Sequence, residues 1–263
     1  ANLSGKISWV DPVEDAVIKV GLVQANIEQG RKFDNAFIQQ NLDHYDALST
    51  SLWQADVIVW PETAIPLVAG RAGPTLDYFS AKASRNEATL ITGIFGESDA
   101  GLHNSITSIG NGEGIYHKQK LVPFGEYVPM RAVLSRLLQI FNLPMSSLEK
   151  GPSDQGLLTA GQYSVSPYIC YEVVYPDFVR QRAKDADFLV TISNDTWFGA
   201  SWGPLQHLEM AAMRALENGR YMVRATNNGV SAIINEKGKI LARTEQFQAE
   251  VLLGEVQVFS GRT

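Results

Sequence analysis

Cysteine is almost absent from this sequence. Of 263 residues only Cys170 carries a thiol, so no intramolecular disulfide can form, and cysteine usage leaves the redox compartment open. Long hydrophobic runs are missing as well. No stretch of 18 or more apolar residues occurs, so no transmembrane helix is expected within these residues. Basic charge is scarce: 22 Lys and Arg stand against 28 Asp and Glu, for a net charge of −6. That sign argues against a nucleic-acid binder, and there is no polybasic cluster to attract anionic lipid. The four histidines, His44, His103, His117 and His207, show no metal-ligand spacing. No metal or other cofactor is expected.

What is present reads as an ordinary globular chain. It is 45% hydrophobic and 19% charged, and long enough to bury a large core. Residues 1–16 are polar and aperiodic, and read as a lead-in. Val17–Gln24, Asp56–Trp60, Thr89–Phe95, Ser166–Cys170 and Phe188–Ser193 are short β-branched or apolar runs that predict strands. Asn104–Ile109 and Gly114–His117 predict a hairpin across Gly110-Asn111-Gly112. Tyr221–Thr226 and Val230–Asn235 predict two joined strands, with Lys239–Arg243 and Val251–Val258 closing the sheet. Helical spacing marks Asn35–Trp53, Thr75–Asn86, Asp177–Lys184 and Pro204–Asn218, the last with Pro in its first turn and Gly219 past its end. Alternating strands and helices predict an α/β layered domain.

One stretch is long for a connection. Within Tyr127–Gly156, the residues Met130, Val133, Leu134, Leu137, Leu138 and Phe141 recur at helical spacing, with Met145 adding apolar surface. Such a stripe serves either core packing or a lid.

Three reactive residues stand at predicted strand ends, Glu62 and Lys118 just past theirs and Cys170 as the last residue of its own. They are far apart in sequence, so only a fold can assemble them. Polar groups at strand ends of a layered α/β domain converge where ligands bind. Their chemistry is complementary. A thiol needs a base to become a thiolate, and Glu62 can be that base. Attack on a carbonyl makes an oxyanion, which Lys118 and a backbone N–H after Cys170 can stabilise. Read singly, each has a bland alternative: Cys170 a small buried hydrophobe, Glu62 a cap, Lys118 a solvated surface charge.

The order of motifs carries more than any one of them. W-P-E-T (60–63), Y-H-K-Q-K-L (116–121), P-F-G-E-Y-V-P (123–129) and I-C-Y-E (169–172) together resemble the nitrilase, or carbon–nitrogen hydrolase, superfamily. In that family the catalytic Lys stands three before a Leu and eight before a second Glu. Lys118 meets both conditions through Leu121 and Glu126, and Lys120 meets neither. Within the superfamily the sequence is most similar to the apolipoprotein N-acyltransferases. The strings L-V-P-F-G-E-Y-V-P (121–129), I-C-Y-E-V-V-Y-P (169–176), S-N-D-T-W-F-G (193–199), G-P-L-Q-H-L-E-M-A-A-M-R-A-L-E-N-G-R (203–220) and R-A-T-N-N-G-V-S-A (224–232) carry that resemblance.

The resemblance implies one nitrilase-like domain, an α-β-β-α layered sandwich over residues 17–260, with an apolar arm at about 127–156. It implies acyl transfer in two steps. A phospholipid sn-1 acyl chain, from a phosphatidylethanolamine-like donor, moves to Cys170 as a thioester. The α-amine of a diacylglyceryl-cysteine at a lipoprotein N-terminus then takes it. Glu126 would orient Lys118 or share the proton, and Tyr171 and Glu172 would shape the pocket and hold the amine or headgroup. Leu134, Leu138, Phe141 and Met145 would form a lid dipping into the membrane interface, and Trp197, Phe198 and Trp202 another. Phe33, beside Lys32, stands where the family carries a Trp, so an aromatic face is kept and an indole N–H is lost. Family members carry membrane spans around this domain, which implies a periplasmic portion of an inner-membrane protein. Two other classes remain open on the residues alone: a soluble amidase using the same thioester route, and a non-catalytic binding module on this scaffold. His207 reads as a structural hydrogen-bonding residue.

Overall fold

The computed structural model describes residues 9–123, 125–126 and 148–263. Among these, thirteen strands form two sheets. The first holds β1 (Val10–Gln24), β2 (Val57–Val59), β3 (Ile65–Val68), β4 (Thr89–Ser98), β5 (Gly101–Gly110), β6 (Ile115–His117) and, at its far edge, β13 (Glu250–Gly261). The second holds β7 (Leu158–Ala160), β8 (Tyr163–Ile169), β9 (Phe188–Ser193), β10 (Met222–Thr226), β11 (Ala232–Ile234) and β12 (Ile240–Arg243).

The short apolar runs lie at the parallel centres of both sheets. In the first, β1, β2 and β4 run parallel; in the second, β8, β9 and β10 do. Such strands are covered on both faces, which is why they read as nearly continuous apolar segments. The side-chain alternation along β2 decides the layering. Val57 and Val59 face the second sheet and share one core with Val165, Ile169, Val190 and Val223. Ile58, with Trp60 just beyond the strand, faces outward into a separate core. That outer core is covered by α2 (Ile38–Ser49) and α3 (Gly73–Arg85); the short α1 (Gln29–Lys32) precedes them. On the other side, α4 (Pro176–Ala183) and α5 (Gly203–Asn218) lay Val179, Leu208, Ala211 and Ala215 on the second sheet. The order of layers is helix, sheet, sheet, helix, as the resemblance implies.

Two expectations change in detail. Part of the polar lead-in is strand, because Val10, Asp11 and Pro12 pair with Gly261, Ser260 and Phe259 before an irregularity leads to Val17. The last two strands do not close one sheet: β12 extends the second and β13 pairs with β1 in the first. The apolar stripe with Leu134, Leu138, Phe141 and Met145 lies outside the described residues. Among the described residues no helix is long and apolar enough to cross a bilayer.

Trp60 fixes the end of β2 and hence the start of the site. Its ring is fully buried, stacked on Tyr45 at 4.9 Å between centroids and edge-on to Phe79 at 4.8 Å. Its indole N–H donates to Ser49 Oγ at 2.9 Å. A buried aromatic held at both its faces and its polar atom has one orientation, so the chain leaves β2 in one direction.

Candidate active site

Every reactive side chain of the site follows the end of a strand. Glu62 lies just past β2, Lys118 just past β6 and Cys170 just past β8. Asn194 and Asp195 follow β9. The central parallel strands end on one side of their sheets, where ligands of α/β proteins bind.

Cys170 opens a short 3-10 turn, Cys170–Val174, directly after β8. Its φ is +52°, in the left-handed region that residues with a Cβ avoid. A sharp strand-to-turn corner of this kind presents a nucleophile on an exposed bend. Cys170 as a whole residue is half-buried, and its sulfur is turned inward. Burial and the neighbouring Glu62 carboxylate push its pKa up to about 12, against the pull of Lys118. The resting thiol is therefore neutral and needs a base to react.

Glu62 and Lys118 are both buried and stand 3.7 Å apart. Lys118 Nζ also pairs with Glu126 at 2.8 Å. Burial works against the ammonium charge, but the carboxylates of Glu62 and Glu126 outweigh it and hold its pKa above the usual lysine range. Lys118 is a cation at any working pH. Asn104, on β5, ties the two carboxylates together: Nδ2 donates to Glu62 Oε1 at 2.6 Å and to Glu126 Oε1 at 2.9 Å. Glu126 Oε2 accepts from the Val122 N–H at 2.9 Å. Two carboxylates thus share one amide and one ammonium.

The Glu62 turn is itself clamped. Gly93 on β4 has no room for a side chain: a Cβ there would sit 2.2 Å from Thr63 N and 2.7 Å from Pro61 O. Lys32 is buried and donates from Nζ to the Glu62 carbonyl at 2.6 Å. Burial lowers the Lys32 pKa to about 8, opposed by Glu62 and Cys170. The sequence marks neither Asn104 nor Lys32 as a site residue. Asn104 lies inside a strand with no motif around it, and Lys32 stands out only as a neighbour of Phe33.

Glu62, Lys118, Glu126, Cys170 and Tyr171 border one cavity of about 570 Å³. Its other walls include Val122, Val174, Trp197, Phe198, His207 and Met210, so it is polar at the reactive end and largely apolar elsewhere. A few polar groups converging in an apolar cleft are the usual form of a small-molecule site. Phe198 is partly exposed on the rim, and Trp197 is 72% exposed.

The expected supporting set divides. Glu172 does not reach the cavity. It is fully buried and accepts four hydrogen bonds, from Tyr116 Oη (2.7 Å), Gln119 N (2.7 Å), Lys120 N (3.1 Å) and Ile169 N (2.9 Å). Burial raises its pKa. Glu172 therefore cannot hold an amine or headgroup in the pocket; it ties the Lys118 loop to the Cys170 corner. Trp202, 76% exposed, borders an adjoining groove with Met210 and Met213 instead. Phe33 is half exposed against Phe95, at 6.4 Å between centroids, and does not border the cavity. Among the described residues no cluster of His, Cys, Asp and Glu is arranged to hold a metal ion.

Comparison with known proteins agrees with this geometry. A protein of Pseudomonas putida named apolipoprotein N-acyltransferase is 50% identical over 253 residues, which is 95% of this chain and 50% of that protein. The enzyme of that name from Vibrio vulnificus is 40% identical over 97% of this chain and 53% of its own length. The chain thus spans about half the length of the relatives it matches. Among solved structures, a CN-hydrolase superfamily protein of Xanthomonas campestris with an arsenic adduct in its active site has a TM-score of 0.69 at 20% identity, covering 91% of this chain and 90% of that one. Saccharomyces cerevisiae Nit3, of the nitrilase superfamily, gives 0.69 at 18% identity, covering 92% and 90%. These two share the fold. The carbon–nitrogen hydrolase family model matches residues 19–262, nearly the whole chain, and the chain belongs to that family.

Proposed function

We propose that this domain is the catalytic part of an N-acyltransferase that moves a phospholipid acyl chain through a Cys170 thioester to the α-amine of a lipoprotein N-terminus. The observation that carries the reading is the cavity itself. It places a neutral thiol beside a carboxylate and a permanent ammonium, inside walls that are otherwise largely apolar. The similarity to proteins named apolipoprotein N-acyltransferase over 95% of the chain supports the same reaction.

The chemistry balances with these residues alone. Glu62 takes the proton from Cys170 Sγ as sulfur attacks the ester carbonyl carbon of the donor. The carbonyl oxygen becomes an oxyanion beside Lys118 Nζ. When the C–O bond breaks, the leaving glycerol oxygen takes the proton back from Glu62, and a lysophospholipid departs. The incoming amine then attacks the thioester, giving its proton to Glu62. The C–S bond breaks, and the thiolate recovers that proton. Glu126 and Asn104 hold Lys118 and Glu62 in register, and Tyr171 borders the space the acyl group enters. Such a reaction takes place at a membrane surface, on the periplasmic side of the inner membrane.

The test is intact mass after incubation with phosphatidylethanolamine in detergent micelles. An acyl-sized increment that disappears in Cys170→Ala and forms slowly in Glu62→Gln is the expected result. Turnover of a short amide with no acyl increment from lipid would instead assign the site to a small-amide hydrolase.

A further inference from the structure

A second buried ionic cluster touches the nucleophile from outside the Glu62, Lys118 and Glu126 set. Asp195, in the turn after β9, accepts from Ser193 Oγ at 2.7 Å and from Arg224 Nη2 at 2.6 Å. Both Asp195 and Arg224 are buried. His207, on α5, places Nδ1 3.1 Å from Asp195 Oδ1 and 3.2 Å from Arg224 Nη2. Its other ring nitrogen, Nε2, lies 3.0 Å from the backbone oxygen of Cys170. The packing around Asp195 is tight: a Cβ on Gly229 would come within 2.3 Å of Oδ2.

Valence settles which nitrogen carries the proton. A carbonyl oxygen only accepts, so Nε2 must be the donor. If the ring is neutral, Nδ1 accepts from Arg224; if it is protonated, Nδ1 donates to Asp195. Both states keep the Nε2–H aimed at the Cys170 carbonyl. Asp195 and Arg224 thus fix the ring for one task. That task falls on a strained residue. Cys170 holds a φ of +52° with a Cβ present, a conformation that persists only where surrounding contacts enforce it.

We propose that His207, oriented by Asp195 and Arg224, is a positioning residue that holds Cys170 in its left-handed corner, with the thiol facing Glu62 and Lys118. The proposal rests on Cys170 being the residue acylated. His207 touches no reacting atom; it acts through the carbonyl of the nucleophile. It is one of the cavity walls, so its loss also opens space beside the thiol.

The experiment follows thioester formation with an activated short ester, p-nitrophenyl butyrate, as the burst of nitrophenolate, with intact mass locating the acyl group. Three variants separate the donor from the packing: His207→Leu, His207→Gln and His207→Met. A Gln amide N–H can reach where Nε2–H stood, whereas a Met of similar length has no donor. Misplacing a nucleophile by a fraction of an ångström costs about tenfold or more. The limiting burst rate is expected to fall about tenfold in His207→Leu and His207→Met with the half-saturating ester concentration unchanged, and to return to within about threefold of wild type in His207→Gln. If His207→Leu does not fold, the Gln and Met pair carries the comparison. Equal burst rates for Gln and Met, or a folded His207→Leu that acylates like wild type, would overturn the proposal. Should the expected pattern appear while phosphatidylethanolamine never acylates Cys170, the positioning role stands and the phospholipid reading falls.

Discussion

Replacing Lys118 with Met tests the electrostatic logic of the site most directly. The side chain keeps its length and loses its charge. What remains is a pair of carboxylates, Glu62 and Glu126, both hydrogen-bonded to Asn104 Nδ2 and no longer neutralised. The ammonium stands 3.7 Å from Glu62 and 2.8 Å from Glu126. At about 4 Å and an effective dielectric constant near 20, one such contact is worth about 4 kcal/mol. Removing it raises the cost of holding two anions on one amide, and the oxyanion has lost its cation. Loss of one such stabilising group costs about a hundred- to a thousandfold in rate. The thioester burst in Lys118→Met is therefore expected to drop at least that far.

Stability falls as well. Two carboxylates left without their cation repel each other, and near neutral pH the loss relative to wild type is about 3–5 kcal/mol, the usual cost of leaving a buried charge unpaired. Adding Glu126→Gln removes one of the two anions. The double variant is expected to recover stability at neutral pH while its burst stays low. A Lys118→Met protein that acylates within tenfold of wild type, or that matches wild type in denaturant titrations at neutral pH, would refute this reasoning.

Gly93→Ala is expected to cost activity beyond its effect on folding, since its Cβ would displace the backbone of Thr63 and carry Glu62 with it. Overpacking of this kind destabilises by about 1–3 kcal/mol; thermal melts and the burst rate measure the two losses separately. Lys32→Met probes the second buried amine. Because burial lowers its pKa to about 8 from 10.5, the ammonium opposes folding below pH 8, and that opposition fades as pH rises toward the unfolded value. Wild-type stability relative to Lys32→Met is expected to increase by about 3 kcal/mol across that window, read by denaturant titration at each pH. Arg224→Leu leaves Asp195 buried without its cation and is expected to cost about 3–5 kcal/mol near neutral pH. Arg224 holds the Asp195 pKa well below the usual carboxylate range against the effect of burial. The stability contributed by that pair is present above the ordinary carboxylate pKa and is lost as pH falls below it. The difference between wild type and Arg224→Leu therefore narrows in acid.

Much of this fold is legible in the sequence because its central strands are buried on both faces. Val57–Val59 and Phe188–Ser193 read as strands without any partner in view. The hairpin from β4 to β5 does not, since its tight connection lacks a strong turn pair, and β3 and β7 are too short to show a period. The site divides in the same way. Glu62, Lys118 and Cys170 stand out because each follows a strand within a recognisable string. Asn104 could not, because its role depends on register: β5 pairs with β6 so that Ser105 opposes His117, which brings Asn104 beside Lys118. Glu172 misled for a helical reason. Adjacency to Cys170 suggested a place in the pocket, but successive side chains on a 3-10 turn point about a third of a turn apart. Two residues past the thiol, the carboxylate faces inward to Tyr116 and the Lys120 loop.

The division between chemistry and selectivity follows from where these residues stand. Glu62 can relay a proton to or from whatever nucleophile approaches the thioester, water or amine, so the triad alone does not choose between hydrolysis and transfer. The Asn104, Glu126 and Glu172 network is equally indifferent, because it acts on Lys118 and on the backbone of the Cys170 corner. The choice has to be made by the walls. Phe198 and Met210 border the cavity while remaining partly open to solvent. An acyl chain lying against them would cover both, and each buried methylene adds about 0.8 kcal/mol. That gain is available to a long acyl chain and absent for a short amide. On the proposed reading, the carbon–nitrogen hydrolase scaffold therefore needs no change in its reactive groups to work as a transferase; it needs apolar surface beside the thiol and an acceptor that reaches the thioester before water does.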